Sequence, residues 1–421
     1  MLVAGIYQPF FSVIIPTKNR ADLASHAVQS VLHQTFRDFE VIVSDNDDTD
    51  ATHQAISEYR DHRIRYHRAS GSLSMPDNWE RGFTLAAGRY VLILTDRCVL
   101  MSYALERLYA AINHYGEDVY VYNYQHIDSL TVEGIRPLSP QRAPMVVQSK
   151  WVFNYFLHQF GWEGSLYLPR GLNSCCSNTL LQDLCASAIG RVCPPVSPDY
   201  TFAFLSLAYR SRVVVLNERL FLWGSHSLSN GLDYIRGGST STRFLRDLSL
   251  SDDDLVSDVP IKAATTFNSI CNDLVRLKKL LPREFSCVRI DLYYYFIFIH
   301  MELTRVFSAH DPSFSLKMGA WERALADQSP HLQSRVLRCI ESGYDGLPLG
   351  APVSRVTKSI RHRAKRLVSS WIGPDRLARL RRRLGNVGTP TARQDDRLNG
   401  STNFRNMLDL LSWIERCETP V

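Results

Sequence analysis

Carboxylate, amide and hydroxyl side chains collect at the ends of short apolar runs in the first hundred residues of this chain. Phe11–Ile15 leads into Pro16-Thr17, with Asn19 and Arg20 just beyond. Phe39–Ser44 leads into Asp45-Asn46-Asp47-Asp48, and Tyr90–Leu94 leads into Thr95-Asp96-Arg97. Open α/β sheets bind their ligands at such strand ends. A hydroxyl and free backbone groups at Thr17 suit a nucleotide pocket, or simply make a capped strand-to-helix turn. A carboxylate such as Asp45 accepts hydrogen bonds from a base or ribose, although acidic turn residues also form for local reasons. Asp96 is the sharpest of the set, because an ionised group after so apolar a run needs partners. Its position suits a ribose or a metal–phosphate. Two later residues join them. Asp199, in Pro198-Asp199-Tyr200, is either the N-cap of the next helix or a general base placed by that helix start. His226, in a Ser-rich loop, is either solvated or a ligand for metal or phosphate.

These side chains need strands to carry them. The runs at 11–17 and 39–44 are short and β-branched, so they read as buried parallel strands. Residues 21–34 have helical spacing between them. Asp50 is placed to cap a helix reaching about Tyr59, and Ile64–His67 reads as a third strand. Ser70–Asp77 reads as a loop, and Asn78–Ala87 as a helix with Gly88 at its C-terminal cap. Tyr90–Leu94, Tyr103–His114 and Val119–Tyr124 continue the strand–helix–strand rhythm. That alternation predicts an α/β fold with a mostly parallel, doubly wound sheet. The Pro-rich stretch 134–147 reads as a surface loop, Trp151–Gln159 as a helix, and the Gly- and Trp-bearing stretch Gly161–Asn173 as a substrate-lining loop. Tyr200–Tyr209 reads as a helix and Val213–Leu216 as a strand. From about 231 the chain turns mostly helical. The expected division is 1–230 as the catalytic domain, 231–350 as a helical region and 351–421 as a basic tail.

The chain has 421 residues, 45% of them hydrophobic and 21% charged, a globular balance with room for two or three domains. Its net charge of +6 is unevenly spread. Arg355 to Arg383 is rich in Lys and Arg, with Asp375 its single acid, and Val356, Ile360, Ala364, Leu367 and Trp371 recur at helical spacing. That pattern reads as a basic amphipathic helix for an anionic bilayer or a partner. Nucleic acid is not expected, since no stacking aromatics interleave the charges. The nine cysteines include no Cys-x-x-Cys pair and read as buried thiols in a reducing compartment. Residues 1–10 have no signal-peptide pattern, and Leu292–Ile299 is too short to span a bilayer, which takes about 20 residues. A cytoplasmic protein, at most touching the inner membrane surface, is expected.

In order and spacing, these motifs resemble a family 2 glycosyltransferase of the GT-A type. The residues that carry the resemblance are FSVIIPT at 11–17, SVLHQTF at 30–36, FEVIVSDN at 39–46, the Asn78 helix and AAGRYVLILTD at 86–96. The likeness is strong over 11–115 and thinner to about 230. It implies an inverting transfer from a nucleotide diphosphate sugar to an acceptor hydroxyl, in polysaccharide or glycoconjugate assembly, with a glycan or lipid-linked acceptor. Pro16, Thr17, Asn19, Arg20, Asn46, Asn78 and Arg97 would line the donor site. Asp45 would take the base, and Asp96 the ribose and diphosphate. Asp199 would be the catalytic base. Asp96, with His226, would hold a divalent cation, Mn2+ or Mg2+.

One departure stands out. The family's second acid after Asp96 is here Arg97, and one carboxylate is a poor site for a hard cation. The guanidinium either holds the diphosphate in place of a metal or pairs with a nearby acid and points away. A non-catalytic nucleotide-sugar-binding or scaffold protein is the competing expectation. An oxidoreductase is not, because no Gly-x-Gly-x-x-Gly follows the first strand.

Overall fold

All seven residues of β1 (Phe11–Thr17) are buried, and the strand pairs in parallel with β2 (Phe39–Asp45) on one side and β4 (Tyr90–Ile93) on the other. Alternation along these strands sends successive side chains to opposite faces. Val13, Ile15, Val41 and Val43 pack beneath α1 (Ala21–Leu32) and α4 (Ala104–Tyr115). Ile14, Ile42, Val91 and Ile93 face α3 (Met75–Leu85), α5 (Ser149–His158) and α7 (Pro198–Tyr209). Two covered faces are what a continuous apolar strand requires.

The computed structural model describes residues 8–128, 131–132, 143–159, 165–225, 239–306, 312–345, 347 and 402–403. The main sheet has the order β3-β2-β1-β4-β9-β6-β10-β5, with β8 also on β10. Its further strands are β3 (Ile64–Arg68), β5 (Cys98–Leu100), β6 (Val119–Asp128), β8 (Met145–Gln148), β9 (Ser174–Ser177) and β10 (Arg212–Ser225). A short β7 (Thr131–Val132) pairs apart from it with β11 (Thr402–Asn403). Pairing is parallel among β3, β2, β1 and β4 and between β6 and β10. β9 is antiparallel to both β4 and β6 and joins the two parallel blocks. The mixed α/β, mostly parallel sheet agrees with the sequence reading. The joining strand was not foreseen: Ser-Cys-Cys-Ser carries no β-branched signal.

Three local expectations need correction. The loop at 70–77 gives way early, because Ser74 accepts the Asp77 N–H and caps α3 with Pro76 in its first turn. Asp50 precedes α2 (Ala51–Ser57) but makes no side-chain cap; its carboxylate pairs with Arg68. Gly88 is not the cap of α3, whose C-cap is Ala86. A Cβ on Gly88 would lie 2.5 Å from the Ser12 nitrogen, so glycine is there to let the chain pass against β1.

The remaining helices are α2, α6 (Asn178–Ala186), α8 (Ser239–Asp247), α9 (Thr266–Leu280), α10 (Leu292–Val306), α11 (Pro312–Ala326) and α12 (Pro330–Glu341). Residues of α9 and α10 such as Phe267, Leu274, Phe296 and Phe298 share one apolar core with Phe156 and Phe204 of α5 and α7. The helical region is thus packed on the main sheet's helical layer rather than around a core of its own. The apolar run of α10 is buried inside protein, and among the described residues no helix is long and apolar enough to cross a membrane. Of the nine cysteines, eight are free thiols, six of them buried; Cys417 and the basic run 355–383 lie outside the described residues.

Candidate active site

The tips of β1 and β2 are tied together before any ligand is considered. Asn78, buried at the start of α3, donates to the Ser44 carbonyl at 3.1 Å and the Thr17 carbonyl at 3.4 Å, and accepts from the Ser44 hydroxyl at 2.8 Å. Asn46 donates to the Leu73 carbonyl at 2.8 Å and accepts its N–H at 2.9 Å, fixing the loop before α3. Asn19 has a left-handed φ of 55°, a conformation Asn tolerates. It donates to Asp48 at 2.8 Å and accepts the Asp48 N–H at 2.9 Å, stapling the loop after β1 to the loop after β2.

Asp45 is fully buried. One carboxylate oxygen accepts the Asp47 N–H at 2.8 Å, and the other accepts the Tyr66 hydroxyl. Burial, reinforced by Asp45, raises the Tyr66 phenol's pKa, so this hydroxyl stays protonated and donates. Pro16 lies within β1, opposite Ser44 of β2.

Asp96 follows β4 and is 5% exposed. Its oxygens accept the Thr17 hydroxyl at 3.1 Å and Arg20 Nη1 at 3.2 Å. The next residue, Arg97, is half-buried, and its Nε and Nη1 are shut from solvent with no hydrogen-bond partner. Burial lowers its pKa, with Asp96 opposing the shift. A divalent cation takes about six oxygen ligands. Here the single acid already has both oxygens engaged, and a guanidinium stands beside it. Among the described residues no three His, Cys, Asp or Glu side chains gather as a metal site. His226 lies outside the described residues. Asp96 thus offers a cation one carboxylate that already accepts Thr17 and Arg20, with Arg97 in place of a second acid.

Asp199 occupies the first turn of α7, while Ser197 is the N-cap. It keeps part of its surface open, yet burial of the carboxyl raises its pKa, opposed by the Arg170 guanidinium. Arg170 is 6% exposed. It donates to the Tyr124 hydroxyl at 2.8 Å and lies over the rings of Tyr124 and Tyr200, 5.8 and 5.6 Å from their centroids. The backbone entering α7 is held by two carboxylates. Glu80 of α3 accepts the N–H groups of Val192 at 2.9 Å and Cys193 at 2.8 Å. Asp273 of α9 accepts those of Val196 at 3.2 Å and Ser197 at 3.0 Å.

The two groups of residues meet along α3. Asn78 holds the tips of β1 and β2, and the adjacent Trp79 lies against Gly171. A Cβ built on Gly171 would be 2.9 Å from the Trp79 ring and 3.9 Å from the Asp199 Cα. A second path runs along the sheet. The Arg97 carbonyl accepts the Gly224 N–H at 3.1 Å, and the neighbouring Trp223 packs edge-on to Tyr124, the partner of Arg170. The backbone of Arg97 and the side chain of Arg170 are thereby joined by a chain of contacts along the sheet.

Arg170, Glu80 and Asp273 escaped the sequence reading. Arg170 sits in an undistinguished Leu-Pro-Arg-Gly, and Asp273 on what reads as the polar face of a helix. Only an acid amid apolar neighbours, as at Asp96, gave a usable signal. Gln34, part of the quoted motif, is fully buried and structural: it donates to the Ser30 and Met101 carbonyls at 3.0 and 2.7 Å and accepts the Leu105 N–H at 3.0 Å.

Residues 12–177 match the family model described as Glycosyl transferase family 2. The chain is 36% identical over 108 residues to GalNAc(5)-diNAcBac-PP-undecaprenol beta-1,3-glucosyltransferase of Campylobacter jejuni, covering 25% of this chain and 35% of that one. It is 26% identical over 121 residues to glycosyltransferase GlyG of Streptococcus pneumoniae, covering 28% and 40%. The chain thus spans well under half the length of these curated relatives. A looser likeness is to the crystal structure of S. aureus TarS 1-349 in complex with UDP-GlcNAc, at 17% identity and TM-score 0.47, covering 86% of this chain and 90% of that one.

Proposed function

We propose that this chain, a member of glycosyltransferase family 2 through its residues 12–177, moves a sugar from a nucleotide diphosphate donor to an acceptor hydroxyl with inversion at the anomeric carbon. The observation that carries the reading is the position of Asp199. Asp199 is a partly exposed residue whose carboxyl is desolvated, and Gly171 beside it packs near Trp79 of the helix that ties the tips of β1 and β2.

In this reading the donor lies along the strand tips, with the nucleoside near Thr17, Asp45 and Asn46 and the diphosphate near Asp96. Asp199 takes the proton from the acceptor hydroxyl as that oxygen attacks the anomeric carbon. The bond from that carbon to the diphosphate breaks, and its electron pair leaves with the diphosphate. Arg170 favours the ionised base, opposing the rise that burial causes. Tyr124 and Tyr200 hold the guanidinium flat between them.

The Campylobacter relative acts on a glycan carried by undecaprenol diphosphate. This supports a glycan on a lipid carrier as acceptor here, with the basic run 355–383 meeting the anionic membrane. Removing 351–421 should abolish sedimentation with anionic vesicles; unchanged sedimentation ends that part of the reading.

Asp199→Asn tests the centre of the proposal. Turnover should fall by about 10²–10⁴-fold, the usual worth of a positioned base, while donor affinity measured by calorimetry stays unchanged. A variant that turns over normally removes Asp199 from the chemistry. Proton NMR of the first-formed product should show the anomeric configuration opposite to the donor's.

A further inference from the structure

We propose that Arg97, together with Arg20, forms a built-in cationic site for the donor's diphosphate, and that these guanidinium groups stand where a divalent metal would otherwise be required. The inference rests on the donor assignment above. It starts from an energetic oddity. Arg97 Nε and Nη1 are buried beside Asp96 and donate to nothing. A buried donor left unpaired keeps its desolvation cost with nothing to offset it. Asp96 does not relieve it, because that carboxylate is taken by Thr17 and Arg20. Among the described residues no acid pairs with Arg97, and an anion is the partner that would satisfy it.

The fork of a guanidinium matches two phosphate oxygens at once. Asp96 then has a different task from metal binding. It holds Arg20 Nη1 at 3.2 Å, with Arg97 the next residue along the chain. During transfer both arginines stay protonated and donate N–H groups to the leaving diphosphate as it gains the electron pair. No proton moves through them. Such preplaced donors act where charge develops.

The test uses the full-length chain and calorimetric titration with UDP, GDP, CDP, ADP and dTDP, each in EDTA and again with manganese. At least one nucleotide should bind in EDTA, with an affinity that manganese leaves essentially unchanged. Arg97→Gln should weaken that binding by roughly 10–100-fold, the worth of a charge-assisted pair. Arg97→Lys, which keeps the charge and loses the fork, should fall between. Thermal midpoints near the wild-type value confirm that both variants fold. Binding that requires manganese, or that Arg97→Gln leaves intact, overturns the proposal while sparing the donor assignment. If no nucleotide binds in either buffer, the donor assignment fails and the arginine site fails with it.

Discussion

Where the donor is proposed to lie, the side chains at the strand tips hold one another. Asn78 holds Thr17 and Ser44, Asn19 holds Asp48, and Thr17 and Arg20 hold Asp96, all within the first hundred residues. Around Asp199, the proposed base, the supporting groups come from a loop and two helices. Arg170 supplies charge, Glu80 reaches across from α3, and Asp273 reaches in from α9. The first wall is a property of the strand tips and of the hydrogen bonds that cross between them. The second is completed by Asp273, from the helical region. Damage to the donor wall should therefore appear in binding, and damage to the base wall in turnover and its pH dependence.

The largest break in that comparison is Asp199→Asn, where turnover alone should collapse. Next is Arg170→Gln. Without the guanidinium, the Asp199 carboxyl, already raised by burial, rises further. A base must be ionised, so the acid limb of kcat/KM should move to higher pH by about one unit or more. Activity lost near neutrality should return in alkaline buffer. A merely structural defect would depress the whole profile without moving it, and that outcome would sink the role given to Arg170. Asn78→Ala is the donor-side counterpart. It removes the ties between β1, β2 and α3 and should cost roughly 1–3 kcal/mol of stability, with KM for the donor rising and kcat nearly preserved. If kcat falls while KM holds, the division between the walls is wrong.

How much of this was legible in the sequence follows the same division. β1, β2 and β4 were readable because each is a run of β-branched and aliphatic residues that ends abruptly in polar ones, and their tips carry Thr17, Asp45 and Asp96. Asp199 was singled out by the family resemblance and a Pro-Asp helix start, and it lies in the first turn of α7. β9 was not, since Ser174–Ser177 pairs on both sides through backbone groups that any sequence supplies. Neither was Asp273. In Asn-Asp-Leu-Val-Arg-Leu it looks solvated, and only the docking of α9 against the segment before α7 buries it, at 1% exposure. Tertiary packing overrides the local polar pattern there, and no spacing rule anticipates a carboxylate that caps a distant loop.

Asp273 also gives the mildest and most specific test of the base wall. Burial, eased by the Ser197 and Val196 N–H groups, raises its carboxyl from 3.8 to about 6. The folded chain therefore holds this proton over a range in which the unfolded chain has released it. By linkage its contribution to stability grows as pH falls from about 6 toward 4 and declines as pH rises through that window. This is opposite in sign to a salt-bridged aspartate. Arg276 is the charged neighbour on the same helix, and it lowers the pKa only in part. Asp273→Asn keeps an oxygen for the Val196 and Ser197 N–H groups but cannot titrate. The difference between wild-type and variant unfolding free energies should slope across pH 4 to 6 and level off above it, while kcat at neutral pH changes little because the loop keeps its acceptor. A flat difference curve would mean that the carboxyl is ionised throughout that range. The grip on the segment leading to Asp199 would then rest on full charge, and Asp273→Asn should in that case lower turnover as well.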